Sequence, residues 1–325
     1  LIGSTLITHL NKIDLNYRII CVDTFSKNIK WKYLQGMIVD EIISYEEFCK
    51  DKENFISLSD QIFHLGACSS TTEENWKYLY ERNYRNTIDI INVFLKCKNY
   101  SSSKDKKLII ASSASTYGNG GKGFIDDVQN IEKLKPLNPY GMSKHLVDIY
   151  LKRNGYFEDV LSLKFFNIFG VNEFHKGNMR SIAHWGVESI IKNQSIRLFK
   201  SENLKYEDGK QVRDFLDVDA AVRIMLYLGN NSTGIYNVGC GESITWNEMA
   251  NTIISSLKKS GNQSKLEYID MPEYLKNKYQ YFTKADMSKS HLKLPKNIIA
   301  NKEKVLKALE NYTNTIFETY SSHIR

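Results

Sequence analysis

Tyr140-Gly141-Met142-Ser143-Lys144 sets a phenol and an ammonium one helical turn apart, so on a helix both project from one face toward a common ligand. A free phenol ionises near pH ~10, and a nearby cation stabilises the phenolate, which lets tyrosine exchange a proton with a substrate alcohol at neutral pH. The lysine also offers donors to a ribose hydroxyl. Taken alone, this spacing more often marks an exposed helix face. Its upstream context changes the reading: Ile110-Ala111-Ser112-Ser113-Ala114-Ser115-Thr116-Tyr117-Gly118 is an apolar strand ending in small hydroxyl residues, where a loop can present Ser113 to the substrate oxygen. A strand-end serine followed by Tyr-x-x-x-Lys is specific where either half is weak.

Such a pair needs rigid elements behind it. Apolar, β-branched runs at residues 17–22, 61–65, 107–111 and 160–166 read as buried strands, with amphipathic helical spacing between them, as at 76–98. Strands alternating with helices imply a parallel α/β sheet. Gly3-Ser4-Thr5-Leu6-Ile7-Thr8-His9-Leu10 reads as a helix leading into the strand that ends at Asp23, which makes that strand the second of a Rossmann unit. Only Gly3 remains of the usual glycine turn, so the first strand and most of the glycine loop are expected to be missing, as in an incomplete sequence. Residues 234–239 are strand-like, and 247–258 and 302–320 have helical spacing, giving a mixed C-terminal region. The most polar loop is 202–210.

Length and composition agree with a two-lobed enzyme. The 325 residues suffice for a large core, and 42% hydrophobic with 25% charged residues is ordinary for a globular protein, neither depleted enough for disorder nor apolar enough for a membrane. The formal charge of +7 comes from scattered lysines, which read as solvated surface rather than a nucleic-acid stripe. Cys21, Cys49, Cys68, Cys97 and Cys240 show no Cys-x-x-Cys spacing, so reduced thiols in a cytoplasm are expected and no metal site is.

With its strand-end hydroxyl and Tyr-x-x-x-Lys helix in this order and separation, the chain resembles the extended short-chain dehydrogenases over nearly its whole length. Two rarer strings narrow the resemblance to the heptose 6-epimerases of that group: His64-Leu65-Gly66-Ala67-Cys68-Ser69-Ser70-Thr71-Thr72-Glu73 and Phe174-His175-Lys176-Gly177-Asn178-Met179. Physically, Gly66-Ala67 lets the backbone approach a cofactor closely and the hydroxyls after it can bind ribose or diphosphate oxygens; the plainer reading is a small-residue turn against a helix. Asn83 resembles the family asparagine beside the nicotinamide.

The resemblance implies an α/β Rossmann-type, doubly wound parallel sheet with a smaller mixed substrate domain. Residues 1–168 with about 212–240 would hold NADP, and about 169–211 with 241–325 would hold the sugar nucleotide. It implies inversion of carbon-6 of ADP-D-glycero-β-D-manno-heptose by transient oxidation to a ketone and return of the hydride to the other face. Tyr140 and Lys176 are the implied proton-exchanging pair, assisted by Ser113 and Lys144, with Lys176 otherwise a loop lysine pairing with diphosphate. Cofactor contacts carry over to Ile2, Gly3, Asp23, Thr24, Lys30, Leu65, Gly66, Ala67, Cys68, Ser69, Asn83, Lys144, Ile168 and Lys176. Substrate contacts carry over to Asn167, Asn178, His184, Phe199, Ser201, Arg213 and Tyr279. Arg213 suits a diphosphate, unless it is bound in a salt bridge with Asp214. Asp23 by itself favours NAD, because its charge repels a 2′-phosphate, whereas Lys27 and Lys30 can neutralise that phosphate; NADP is expected, with NAD open. A homopentamer and a place in lipopolysaccharide heptose biosynthesis follow from the resemblance alone.

The chain departs from that pattern at two further points: Trp185 stands where the family has a histidine, with His184 adjacent, and the 202–210 segment is longer than usual. A dehydratase of the same fold needs an acid and a base after the strand-end hydroxyl, where Ala114-Ser115 stand here. A 4-epimerase has no need of Lys176.

Overall fold

The computed structural model describes residues 1–13, 17–24, 28–100, 105–258, 261, 263–276 and 279–324. In chain order, helix α1 (Ile2–Ile13) precedes strand β1 (Ile20–Asp23), strand β2 (Glu41–Ser44), helices α2 (Tyr45–Lys50) and α3 (Lys52–Leu58), and strand β3 (Gln61–His64). Helix α4 (Trp76–Leu79) runs through a π-helical turn, Tyr80–Arg85, into α5 (Asn86–Tyr100). Strand β4 (Lys107–Ser113), helix α6 (Pro139–Arg153) and strands β5 (Val160–Phe165) and β6 (Asn167–Phe169) follow. Helix α7 (Ile182–Asn193), strands β7 (Ser195–Phe199), β8 (Val212–Arg213) and β9 (Phe215–Asp217), helix α8 (Val218–Asn231) and strand β10 (Gly234–Val238) come next. The chain ends in β11 (Ile244–Thr245), α9 (Trp246–Lys258), β12 (Lys265–Ile269), and helices α10 (Glu273–Lys276), α11 (Ser288–His291) and α12 (Lys302–Ile324).

All pairings in the main sheet are parallel, in the order β10-β5-β4-β3, and β1 and β2 form a separate parallel pair. This is the expected α/β architecture. Every residue of β5 is buried, as in a strand covered on both faces. The expected strand at 17–22 begins only at Ile20, and the expected helix at 76–98 is interrupted by the π turn. Smaller pairs, β6 with β9, β7 with β12 and β8 with β11, build the C-terminal side. One core joins the two sides: Ile109, Leu161 and Leu163 of the main sheet pack in the same cluster as Val187 of α7, Ile253 of α9 and Leu309 of α12. Apolar side chains buried together at helical spacing dominate that cluster, which is what fixes α7, α9 and α12 against the sheet.

Two local devices place the chemistry. Asn138 caps α6, its side chain accepting from the Gly141 amide at 2.7 Å, and Pro139 occupies the first turn. The cap starts the helix so that Tyr140 lies in its first turn and Lys144 one turn later. Gly141 cannot be larger, because a Cβ there would lie 2.8 Å from the Ser115 carbonyl oxygen. The start of α6 therefore packs backbone to backbone on the turn that follows β4.

Candidate active site

Ser113, Tyr140 and Lys144 come together at the C-terminal end of β4, where open parallel sheets commonly place ligands. Ser113 is the last residue of β4 and caps the turn Ala114–Tyr117; its Oγ accepts from the Ser115 amide at 3.2 Å and the Ser115 hydroxyl at 2.9 Å. Burial pushes the Tyr140 phenol above its ordinary range, opposed by a hydrogen bond with the Ser113 hydroxyl, while the Cys68 sulfur pushes it further up. Lys144 Nζ donates to the Ala111 carbonyl at 2.8 Å, and burial brings it down to about 8, against the pull of Asp148 and Cys68. The sequence led us to expect a cation that lowers the phenol. In the structure burial raises the phenol, and the ammonium is held against the β4 backbone by the Ala111 carbonyl.

Behind this group lies a closed polar network. Asp148, one turn beyond Lys144, accepts from Ser112 and Ser162 at 3.0 Å each and from Lys164 at 2.7 Å, with Asp148 and Lys164 both buried. Lys164 also donates to Thr116 at 2.5 Å and lies 4.7 Å from the centre of the Tyr117 ring. Ser112, Ser162 and Lys164 are buried polar residues in largely apolar strands, and α6 supplies their acceptor.

The 66–73 segment leaves β3 and crosses toward Tyr140. Gly66, Ala67 and Ser69 are exposed, and a Cβ built on Gly66 or on Gly3 would meet no atom within 4 Å, so both backbones have open space beside them. Cys68 is held at both ends of its peptide: Asn83 Oδ1 accepts from its amide at 2.8 Å, and Asn83 Nδ2 donates to its carbonyl at 3.0 Å and to Ser143 Oγ at 3.0 Å. The Asn83 amide is thus engaged with protein, in the middle of the π turn. His64 Nε2 meets Thr87 Oγ1 at 3.0 Å, and burial, with Lys144 nearby, brings its imidazole down to about 3. Leu65, Ile2 and Ile168 turn their side chains against the main core.

At the end of β1, Lys30 Nζ lies 2.6 Å from Asp23 Oδ1, and Thr24 Oγ1 donates to the same oxygen at 3.3 Å. This acid, hydroxyl and cation fit an adenosine ribose, and the open backbone at Gly3 and Gly66 fits close approach of a dinucleotide. Lys27 lies outside the described residues.

Lys176 stands on the turn Phe174–Met179, tied to the 66–73 segment by Thr72 Oγ1 to Met179 Sδ at 3.9 Å and to Tyr33 by the His175 amide at 3.0 Å. Asn178 lies in this turn, its side chain outside the described residues. Lys176 Nζ is 3.8 Å from Glu173, whose fully buried carboxylate also accepts from the Ser181 amide and hydroxyl and from Tyr312 of α12. Burial lowers the Lys176 ammonium and Glu173 raises it, with burial prevailing. Glu173 and Tyr312 were not anticipated; no local pattern joins residues so far apart in sequence.

A cavity of about 340 Å³ lies on the C-terminal side, walled by Trp185, Phe199, Trp246 and Tyr279 with Arg197 and Gln211. Arg213 packs over the Tyr279 ring at 5.3 Å and donates to the Val212 carbonyl at 3.0 Å. The salt bridge with Asp214 does not form: the Asp214 carboxylate accepts from the Cys240, Gly241 and Ala285 amides at 2.7, 2.9 and 2.9 Å, and burial lifts it to about 6. Asn167 Nδ2 donates to the Asp214 carbonyl at 3.1 Å, beside Arg213 in the chain. Ser201 spends its hydroxyl on Asn203 within its own loop. The long 202–210 segment is fastened by Tyr206 stacked on Tyr281 at 5.7 Å and by Asn247, which donates to the Asp208 carbonyl at 3.0 Å.

His184 is turned away from this cavity. It is fully buried between Phe174, Tyr312 and Tyr320, with ring contacts at 4.4 Å to Phe174 and nitrogen contacts of 3.4 and 3.3 Å to the two phenols, and burial brings it down to about 4. Trp185, next to it on α7, lines the cavity instead. Neighbouring helix positions point roughly 100° apart, so only one of the two can face the ligand. Among the described residues no cluster of His, Cys, Asp and Glu could hold a metal, and no helix is long and apolar enough to cross a membrane.

Fold and site together define an α/β enzyme of Rossmann type with a Ser, Tyr and Lys centre at a strand end. Residues 1–239 match the model of the NAD dependent epimerase/dehydratase family. An ADP-L-glycero-D-manno-heptose-6-epimerase of Nitratidesulfovibrio vulgaris is 38% identical over 293 residues, 89% of this chain and 87% of that one. One from Fusobacterium nucleatum is 34% identical over 303 residues, 89% of this chain and 88% of its own length. Among solved structures, the Helicobacter pylori ADP-L-glycero-D-manno-heptose-6-epimerase superimposes with a TM-score of 0.77 at 23% identity, covering 97% of this chain and 93% of that one. A UDP-N-acetylglucosamine 4-epimerase from Methanobrevibacter ruminantium gives 0.79 at 22%, covering 98% and 96%. The chain belongs to the NAD dependent epimerase/dehydratase family and is an epimerase, an isomerase, within it.

Proposed function

We propose that this enzyme inverts carbon-6 of ADP-D-glycero-β-D-manno-heptose to give the L-glycero epimer, a step in lipopolysaccharide heptose synthesis, as a cytoplasmic homo-oligomer. The observation that carries the reading is the 38% identity, along 89% of the chain, to a relative bearing that name. The site supports it with two proton-handling groups moved by burial in opposite directions, the Tyr140 phenol up and the Lys176 ammonium down.

Carbon-6 of such a heptose carries a plain secondary alcohol with no neighbouring carbonyl, so no side chain can remove its hydrogen as a proton. NADP, when bound, supplies the hydride acceptor and donor that this carbon requires. Asp23 and Thr24 would hold its ribose, Lys30 the 2′-phosphate, Gly3 and Gly66 its diphosphate backbone, and Lys144 the nicotinamide ribose. Tyr140 and Ser113 hold the sugar hydroxyl from one side and Lys176 takes or returns its proton in the other sugar orientation. Arg213, with its guanidinium over Tyr279, binds the substrate diphosphate.

Incubation with ADP-D-glycero-β-D-manno-heptose, followed by NMR, should show the L-glycero epimer accumulating to equilibrium. Tyr140→Phe should lower the rate about a thousandfold, with the melting temperature kept. Turnover of a UDP-hexose at carbon-4 without inversion of the heptose would overturn the assignment.

A further inference from the structure

We infer that Glu173 is the positioning residue for Lys176, and that the C-terminal helix α12 holds Glu173 to that task through Tyr312. The inference rests on the reading above that Lys176 exchanges the proton of the sugar hydroxyl.

A lysine can pass a proton to a ligand only if its N–H donors are free and its charge is neither lost to burial nor locked in a tight pair. Both conditions trace to Glu173. The two residues open and close one tight turn, the Lys176 amide donating to the Glu173 carbonyl at 3.0 Å, and side chains three apart on such a turn lie over one another. Lys176 Nζ is 3.8 Å from the carboxylate, within ion-pair range and too long for a hydrogen bond. The ammonium therefore feels the negative charge without spending a proton on it, and its side chain stays 20% exposed.

Glu173 keeps that distance because other donors hold it. The Ser181 hydroxyl and the Tyr312 phenol donate to Oε1 at 2.5 and 3.2 Å, and the Ser181 amide donates to Oε2, the oxygen nearest Lys176, at 2.8 Å. Burial, with Glu173 next, holds the Tyr312 phenol well above its ordinary range, so it remains a donor. Ser181 caps α7 and Tyr312 lies on α12, so two helices fix one carboxylate. That carboxylate opposes the burial that lowers the Lys176 ammonium. The other titratable groups facing the pair are the Leu1 amino group at the start of α1, Tyr33 and His184 of α7, and none of them is a carboxylate.

Trace acetylation of the whole chain with acetic anhydride, read lysine by lysine by peptide mass spectrometry, tests this. Glu173→Gln removes the charge and keeps the shape: with its oxygen on the Ser181 amide, its NH2 meets two hydroxyl oxygens that can accept. At pH 8, where only the neutral amine reacts, Lys176 should be acetylated about fivefold faster in Glu173→Gln than in wild type, the effect of one charge ~4 Å away even at the dielectric of water. Lys164, 1% exposed, should stay unlabelled and so report that the variant is folded. Tyr312→Phe should act in the opposite sense, slowing Lys176 acetylation about twofold, because a loosened carboxylate can close on the ammonium. In heptose inversion, Glu173→Gln should move the Lys176 limb of the kcat pH profile to lower pH with KM within about twofold. Unchanged Lys176 acetylation in Glu173→Gln with Lys164 protected would reduce Glu173 to an anchor for the start of α7, overturning the inference and leaving the epimerase reading standing. If Lys164 becomes labelled in that variant, Tyr312→Phe decides, and unchanged acetylation there overturns the inference equally. The expected labelling in a protein that inverts no heptose would remove the epimerase reading and, with it, the use of this pair in proton exchange.

Discussion

Two buried cations, Lys164 and Arg213, are held in opposite ways. Lys164, 1% exposed, meets the Asp148 carboxylate at 2.7 Å, the Thr116 hydroxyl at 2.5 Å and the face of Tyr117. Arg213, 7% exposed, has a backbone carbonyl and the Tyr279 ring but no carboxylate partner among the described residues. Its neighbour Asp214 is spent on three backbone amides. A buried charge is costly unless an opposite charge accompanies it. The protein supplies that countercharge to Lys164 and none to Arg213, which under the proposed function leaves it to the substrate diphosphate.

The sharpest way to break this contrast is to remove one partner of the structural pair. Lys164→Met strands the Asp148 carboxylate and should cost about 3–5 kcal/mol in urea unfolding. Replacing both partners by apolar residues should recover most of that loss, and no recovery would argue against a paired role. Arg213→Met should do the reverse. It should weaken ADP binding by about 2 kcal/mol, some thirtyfold, without lowering the melting temperature, since no internal pair is broken. A loss of stability like that of Lys164→Met would mean that Arg213 is structural after all.

The smallest expected effect concerns the buried imidazoles. His64 and His184 stand at about 3 and about 4 in the folded protein, below the ordinary value of 6.5. Both must be neutral to stay inside, so their contribution is complete above pH ~6.5 and is lost as pH falls toward ~4. By pH 5 each should cost roughly 1–2 kcal/mol relative to pH 7.5, and His184→Gln should flatten its share of the slope. A pH profile unaltered by that substitution would show that His184 has solvent access.

What the sequence made legible was what is periodic or local. Apolar runs at β3, β4, β5 and β10 were read nearly to their ends, and β4, β5 and β10, largely buried on both faces, leave a continuous hydrophobic trace. The Ser113, Tyr140 and Lys144 centre was legible because its spacing lies within one helix and one strand end. What escaped was long-range: Glu173 with Tyr312 and Asn83 around the Cys68 peptide depend on contacts between distant segments. At 184–185 two adjacent residues competed for one site, and only the rotation of α7 decides that Trp185 lines the cavity. Burial, which raises the Tyr140 phenol, is likewise not written in the Tyr-x-x-x-Lys string.

The π-helical turn Tyr80–Arg85 also counts residues. It holds one more than the α-helical turn it replaces, and Asn83 sits inside it with its carbonyl accepting from Thr87 at 2.7 Å while its amide grips Cys68. Deleting a single residue there would let the run wind as ordinary helix and swing everything on the Trp76 side by roughly 100° relative to α5. Asn83 would keep its place in the helix and lose Cys68. The length of this stretch is therefore constrained as tightly as its composition, and gaps falling at 80–85 in related chains should coincide with a different means of holding the loop beside Tyr140.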